Sequence, residues 1–382
     1  MERIHVKVPG EQLQDREYMK QALALAEKGH GWVNPNPMVG AVLVKDGRII
    51  GEGYHTRYGQ LHAEREAFKN AAERGEETAG ADLYVTLEPC CHTGKQPPCT
   101  EAVLASGVKR VIVGCTDPNP VVAGRGIRLL REKGLEVVAG VLRGECERQN
   151  EVFFHFMRTK LPFTVLKYAM TLDGKTATVL GKSQWITGEA ARKRVHEDRG
   201  RYMAILTGVS TVLADNPQLT CRIPGGKNPI RVIADTKLRT PLSSTVVQTA
   251  RETPTWIVTA VSDAGRKKAY EDAGCRVLSV PAKEGELDLQ AMMQRLGEEK
   301  VDSVMVESGG TLAWSFLKAG LVNRVQAYIA PKIFAMLSRI VVSVTSFFNF
   351  LLRSSSILLM TCPSLRAPCP IDARTESQSR YA

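Results

Sequence analysis

The stretch ADLYVTLEPCCHTGKQPPCTEAVLASG, residues 81–107, decides the fold. Its first ten residues read as a strand running into a loop, and TEAVLASG reads as a helix. Working outward, residues 15–29 carry apolar positions at helical spacing, with Gly29 as a stop. GWVNPNPMVG is a turn-rich loop. AVLVKDGRII is a strand with Asp46-Gly47 as a hairpin turn, and GEGYH is a second strand. Residues 61–74 form a predicted helix opening at LHAE. Beyond residue 107, VKRVIVGCT is a buried strand, and IRLLREKG with LEVVAG adds a helix–strand unit. Helices alternating with strands argue for a layered α/β domain.

Three candidate ligands sit at the ends of these elements. His62-Ala63-Glu64 opens the helix over 61–74, Pro89-Cys90 ends the strand, and Cys99 follows Cys90 by nine residues. One imidazole and two thiolates suit tetrahedral zinc and leave a fourth position for water. Zinc lowers the pKa of such a water. Glu64, two residues after the histidine, can take its proton and deliver it to a leaving amine. This is the arrangement of zinc deaminases acting on amino-substituted bases. A closed structural site would want a fourth protein ligand. Cys91 and His92 adjoin Cys90 too closely for joint tetrahedral ligation, so they belong to the loop or the substrate.

The chain has 382 residues, 43% of them hydrophobic and 24% charged, which suits two or three soluble domains. Nine cysteines scattered through it fit reduced thiols, some metal-bound, better than a disulfide framework. The opening residues lack the apolar run of a secretory or transit segment, so a cytoplasmic location is expected. The formal net charge of +11 fits a solvated surface. The densest basic cluster, from Arg192 to Arg201, alternates with Glu189, Glu197 and Asp198, as on an exposed helix. After a connecting helix over 145–160 and a boundary at Leu161-Pro162, a second α/β pattern begins. FTVLKYAMT, YMAILTG, PIRVIAD, PTWIVTA and DSVMVESGG are its strands, and residues 188–200 a helix. Gly124-Arg125-Gly126 lacks the third glycine of a dinucleotide fingerprint. Glu307-Ser308-Gly309-Gly310-Thr311, between a strand and a helix, could receive a phosphate or simply be a tight turn.

NPNPMVGAVLV, GYH, HAE and EPCCHTGKQPPC resemble the deaminase half of the bifunctional riboflavin-biosynthesis deaminase–reductases, the RibD family. LKYAMTLDGKTA, SQWITGEAAR, TGVSTVLADNPQLTCR and VESGGTLAWSFL resemble its reductase half, so the likeness spans roughly residues 15–334. The resemblance implies a cytidine-deaminase-like three-layer α/β domain over residues 1–150 and a dihydrofolate-reductase-like α/β domain over 161–334. It implies hydrolysis of the 2-amino group of a phosphoribosylated diaminopyrimidinone, then reduction of the ribosyl group to a ribityl chain by NADPH. One zinc is implied per chain, on His62, Cys90 and Cys99, with Glu64 catalytic. Asn36, His55, His92 and Lys95 would contact the pyrimidine or its phosphate. In the second half, Ser183, Arg199, Leu219, Arg222 and Glu307 would meet substrate. Ala169, Trp185, Thr211, Asp215, Thr236 and the run Gly309, Gly310, Thr311, Leu312, Ala313, Trp314 and Ser315 would meet NADPH. Arg199 and Arg222 suit a phosphate chemically, because guanidinium forks match its oxygens. Lys167 and Glu307 are candidate proton donors.

The family pattern stops after Ala330-Pro331-Lys332-Ile333-Phe334. From Ala335 to Ile371 there is no Asp or Glu, and no Lys follows Lys332. We read residues 335–382 as an atypical tail produced by a shift of reading frame, which could cost the reductase while sparing the deaminase. IVVSVTSFFNFLL is broken at Arg353 and is shorter than the ~20 apolar residues of a membrane span. A tRNA- or DNA-directed deaminase would need a basic, aromatic strand-binding surface that the sequence does not offer. A zinc-stabilised binding module would make Glu64 incidental. The expected partners are therefore a small phosphorylated pyrimidine and further copies of the chain, with neither nucleic acid nor membrane.

Overall fold

Alternate side chains of one strand, β1 (Gly40–Lys45), enter two different cores. Ala41 and Leu43 pack with Ala63, Ala67 and Ala71, whereas Val42 and Val44 pack with Met19, Ala22 and Phe154. A strand buried on both faces needs helices above and below it, and that requirement builds the first half as three layers.

The computed structural model describes residues 13–334, apart from 94, 95, 121, 179, 181, 182 and 184. Helix α1 (Leu13–Glu27) precedes β1, and β2 (Arg48–Tyr54) follows it. Then come α2 (Ala63–Glu73), β3 (Asp82–Leu87), α3 (Cys99–Ala105), β4 (Arg110–Cys115), α4 (Arg125–Glu132) and β5 (Glu136–Ala139). These strands make a sheet of order β2-β1-β3-β4-β5, antiparallel at β2-β1-β3 and parallel from β3 to β5. The expected Asp46-Gly47 turn is present, but Arg48 and Ile49 pair back on Lys45 and Val44 as the start of β2, with a bulge at Ile50. The connecting helix is two helices, α5 (Arg143–Gln149) and α6 (Glu151–Thr159). They part at Asn150, whose side-chain amide takes the main-chain N–H of Met38 and donates to its carbonyl, both at 2.8 Å.

The second half contains β6 (Phe163–Thr171), α7 (Glu189–Arg201), β7 (Ala204–Gly208), α8 (Val209–Asp215), β8 (Ile230–Ala234), α9 (Thr245–Gln248) and β9 (Thr255–Thr259). It continues with α10 (Ala264–Asp272), β10 (Arg276–Ser279), the small hairpin β11 (Ala282–Lys283) and β12 (Glu286–Leu287), and α11 (Leu289–Glu298). It ends with β13 (Ser303–Glu307), α12 (Gly310–Lys318) and β14 (Arg324–Ala330). The large sheet has order β10-β9-β8-β7-β13-β6-β14, and every pairing in it is parallel. Its cores alternate too. Leu206 and Val232 pack with Met292 and Phe316 on one face, and Ile205 and Ile233 pack with Val246 and Tyr270 on the other. β10 and β14 were not among the expected strands.

A polar seam joins the halves. Asn34 donates to Asp302 at 2.7 Å, Glu151 pairs with Arg324, and Lys227 donates to the Gly31 carbonyl at 3.3 Å. Among the described residues no helix is long and apolar enough to cross a membrane. The expected tail, 335–382, lies outside the described residues.

Candidate functional site

Close packing places α2. A Cβ on Gly53 of β2 would overlap the backbone of Ala63 and Ala67, so glycine there lets the first turn of α2 sit against the sheet. His62 caps that helix in extended backbone, Cys90 lies three residues beyond β3, and Cys99 is the first residue of α3. His62 Nδ1 is 3.6 Å from Cys90 Sγ and 3.3 Å from Cys99 Sγ, and all three donor atoms lie within 4.8 Å of one another. Tetrahedral zinc with ordinary Zn–N and Zn–S bonds separates such donors by about 3.6 Å, so the donor set fits the ion. Among the described residues this is the cluster of His, Cys, Asp or Glu suited to a metal. The Cys99 main-chain N–H also points at Cys90 Sγ, at 3.3 Å. A hydrogen bond from Cys99 holds Cys90 down at about 4, and the same contact, with burial, pushes Cys99 up. A cation takes the place of the thiol proton.

Glu64, the second residue of α2, is 3% exposed. Burial, and then the Cys90 charge, raise its carboxyl above the ordinary range, which favours accepting a proton. His55 is buried and held neutral by that burial. Its Nδ1 donates to the Leu61 carbonyl at 2.9 Å, leaving Nε2 to accept from the Asn36 amide at 3.3 Å. These residues, with His92 and Cys90, line a cavity of about 440 Å³, a volume suited to a small ligand. His92 is exposed at its rim, and Lys95 lies outside the described residues.

The cavity also recruits residues that sequence reading missed. Gln60, Asp117 and Asn119 line it, as do Lys160 and Lys300. Burial pushes Asp117 up to about 6, against the pull of the Asn119 N–H at 2.7 Å. Glu88 is buried and accepts three main-chain N–H groups, from Asp117 at 3.2 Å, Gly124 at 2.8 Å and Ile127 at 3.1 Å. Gly124-Arg125-Gly126 is thus an anchor for the cavity wall. The available signal was Asp117 two residues past a buried strand, where parallel sheets present functional side chains.

In the second half the predicted residues gather outside the carboxyl ends of the parallel strands, where open α/β sheets receive ligands. Thr211 and Asp215 follow β7, Thr236 follows β8, Glu307 closes β13, and Gly309 to Ser315 start α12. Ala169 is near the end of β6. Glu307 is the electrostatic centre. Arg199 grips it with Nε at 2.8 Å and Nη2 at 3.0 Å, and Lys167 reaches it at 3.3 Å. Burial alone would raise Glu307, but Lys167 and then Arg199 outweigh it and hold the group at about 2. The two arginines therefore differ. The Arg199 fork is occupied by Glu307, with Nη1 on the Thr220 carbonyl at 3.0 Å, while Arg222 is exposed.

Not every predicted contact presents a side chain. Leu219, at φ 55°, packs into the core with Ile205 and Val212, so any ligand would meet its main chain. Leu312 and Ala313 likewise lean on the core. Gly309 and Gly310 have open space where a Cβ would stand, which leaves free N–H groups at the start of α12 for an anion. Trp185 and Trp314 are 60% and 65% exposed, and Arg192 stacks on the Trp185 ring at 4.8 Å. Ser183 is half-buried. Open glycines and exposed indoles beside the carboxyl ends of parallel strands fit a phosphorylated dinucleotide such as NADPH.

A family model for the cytidine and deoxycytidylate deaminase zinc-binding region matches residues 12–115, and one for the RibD C-terminal domain matches residues 162–357. The second match runs beyond Phe334, past the point where the family pattern was expected to stop. The chain is 50% identical to riboflavin biosynthesis protein RibD of Actinobacillus pleuropneumoniae over 84% of each chain. It is 43% identical to that of Escherichia coli, covering 84% of this chain and 89% of the relative. Among solved structures, a diaminohydroxyphosphoribosylaminopyrimidine deaminase/5-amino-6-(5-phosphoribosylamino)uracil reductase from Thermotoga maritima superposes with TM-score 0.75 at 41% identity, covering 86% of this chain and 92% of that one. Acinetobacter baumannii RibD gives 0.75 at 37% identity, covering 87% and 92%. A deaminase zinc centre followed by a parallel-sheet reductase, matched over most of the chain's length, has one reading: this chain belongs to the riboflavin biosynthesis protein RibD family.

Proposed function

We propose that this bifunctional deaminase and reductase acts on one phosphorylated pyrimidine in succession, with residues 1–150 forming the deaminase and 161–334 the reductase. The observation that carries the reading is the His62, Cys90 and Cys99 cluster with buried Glu64 beside it in one cavity. The substrate named for the Thermotoga maritima relative, a phosphoribosylated diaminopyrimidine, is the class proposed here.

His62, Cys90 and Cys99 would hold zinc, which supplies the Lewis acidity that lets water ionise near neutral pH. Glu64 accepts a proton from the attacking water and passes it to the departing 2-amino group, which leaves as ammonia. Asn36 and neutral His55 orient the ring through their shared hydrogen bond, and Asp117, Asn119 and His92 face its polar edge. In the second half NADPH supplies the hydride when bound. Gly309 and Gly310 present main-chain N–H groups to its phosphates, and Trp185 and Trp314 offer stacking faces. Arg222 takes the substrate phosphate, while Arg199 and Lys167 hold Glu307 ionised at the reacting sugar. The free thiols among the described cysteines support a cytoplasmic setting, and a homo-oligomer without nucleic-acid or membrane partners completes the reading.

The test is to follow ammonia release and NADPH oxidation separately in the zinc-loaded protein. Both are expected, with NADPH oxidation dependent on the deaminated product. Ammonia alone would mean that an altered C-terminus has cost the reductase. No ammonia from folded, zinc-loaded protein would overturn the reading. Glu64→Gln should lower ammonia release by about 10²–10⁴-fold while zinc content and NADPH oxidation persist.

A further inference from the structure

Lys160 and Lys300, two of the residues that line the deaminase cavity, come from outside its three layers. Lys160 closes α6 in the connection between the halves, and Lys300 follows α11 in the reductase half. Both hold the left-handed backbone that ends many helices, with φ of 59° and 64°, although glycine or asparagine adopts it more cheaply. Each N–H completes its cap at 2.9 Å, Lys160 to the Phe156 carbonyl and Lys300 to that of Gly297. The two caps are pressed together, because a Cβ on Gly297 would overlap the Lys160 carbonyl. A favourable helix dipole accounts for a cation near each helix end. It does not account for two lysines from separate helices lining one cavity.

The charge pattern of that cavity is divided. Its interior holds the Glu64 and Asp117 carboxyl groups, the Cys90 thiol and imidazoles. Among its described lining residues, Lys160 and Lys300 are the lysine or arginine side chains. Both are exposed, and no described carboxylate pairs with either. Unpaired ammonium groups at the open side of a small-molecule cavity are suited to a phosphate ester on a ligand whose other end reaches Glu64.

We infer that Lys160 and Lys300 form a phosphate-reading mouth on the deaminase cavity, one cation coming from the connection and the other from the reductase half. This rests on the deaminase reading above. It makes recognition of the phosphorylated substrate depend on the docking of the two halves.

The experiment uses the full-length zinc-loaded chain and two substrates, the phosphoribosylated diaminopyrimidinone and its dephosphorylated nucleoside. The variants are Lys160→Gln, Lys300→Gln and the double, with Lys→Asn at both positions as a pair better suited to left-handed backbone. Lys→Arg at both is the rescue. For the phosphorylated substrate, KM should rise about ten-fold in each single neutral variant and about a hundred-fold in the double, with kcat held. KM for the nucleoside should stay within about two-fold, and the arginine pair should restore most of the loss. Reductase turnover of the deaminated product reports that each variant is folded. An equal rise for both substrates, or no rise for either, overturns the inference while leaving the deaminase intact. Absence of ammonia from the unmodified chain overturns the deaminase reading along with it.

Discussion

Glu88 commits both carboxylate oxygens to main-chain N–H groups of the loop from Asp117 to Ile127. Its removal would strand buried donors, each worth about 1–3 kcal/mol. Glu88→Ala should therefore cost about 3 kcal/mol or more in denaturant unfolding and depress ammonia release, because the loop that carries Asp117 and Asn119 loses its anchor. At Glu307 the argument is electrostatic. Its folded pKa of about 2 lies below the ordinary 4.5, so its stabilisation is complete above 4.5 and fades as pH falls toward 2. Glu307→Gln should be less stable than wild type at pH 7 by roughly 3 kcal/mol, and the gap should close between pH 4.5 and 2. Unfolding midpoints across that range check it, and a gap independent of pH would refute it. The candidate metal cluster was legible in sequence because histidine, two cysteines and a nearby glutamate carry their chemistry in their side chains. Glu88 and Asp117 were not, because their roles exist only once β3 lies beside β4.

At the scale of elements, the deaminase depends on how closely α2 approaches β2. Gly53→Val would push Ala63 and Ala67 outward and carry His62 and Glu64 with them. Such overpacking costs about 1–3 kcal/mol. Zinc content and ammonia release should both fall, with NADPH oxidation retained. Helix and strand types were largely legible, since apolar spacing follows the period of each element. The break at Asn150 was not, because its cause is the main chain of Met38, far away in sequence. β14 escaped notice for a related reason. Its burial alternates, and Arg324 and Gln326 in it pair with Glu151 and Asp198 elsewhere.

At the scale of the whole molecule, the seam between the halves is polar and specific. Asp302 is buried, burial raises its pKa, and it takes the Asn34 amide at 2.7 Å. Asp302→Ala leaves that donor without its partner and should cost about 1–3 kcal/mol. The expected sign in calorimetry is separation of one unfolding transition into two, as the halves lose their coupling. A single transition with an unchanged midpoint would show that the seam contributes nothing. None of this was legible from the chain alone, which marks Leu161-Pro162 as a boundary but is silent on what packs across it.

Strand β6 has a further consequence, for how the protein is made. It is the first strand of its sheet in sequence, yet its two neighbours there, β13 and β14, are the last ones described. Lys167 and its partner Glu307 are 140 residues apart. At ribosomal speeds of about 5–20 residues per second, β6 waits on the order of ten seconds for either neighbour. The deaminase half, whose sheet pairs within its own stretch of chain, can be complete by then. During that interval Val165 and Leu166 have no sheet to cover them, so the nascent reductase half is the part of this enzyme that most needs a chaperone.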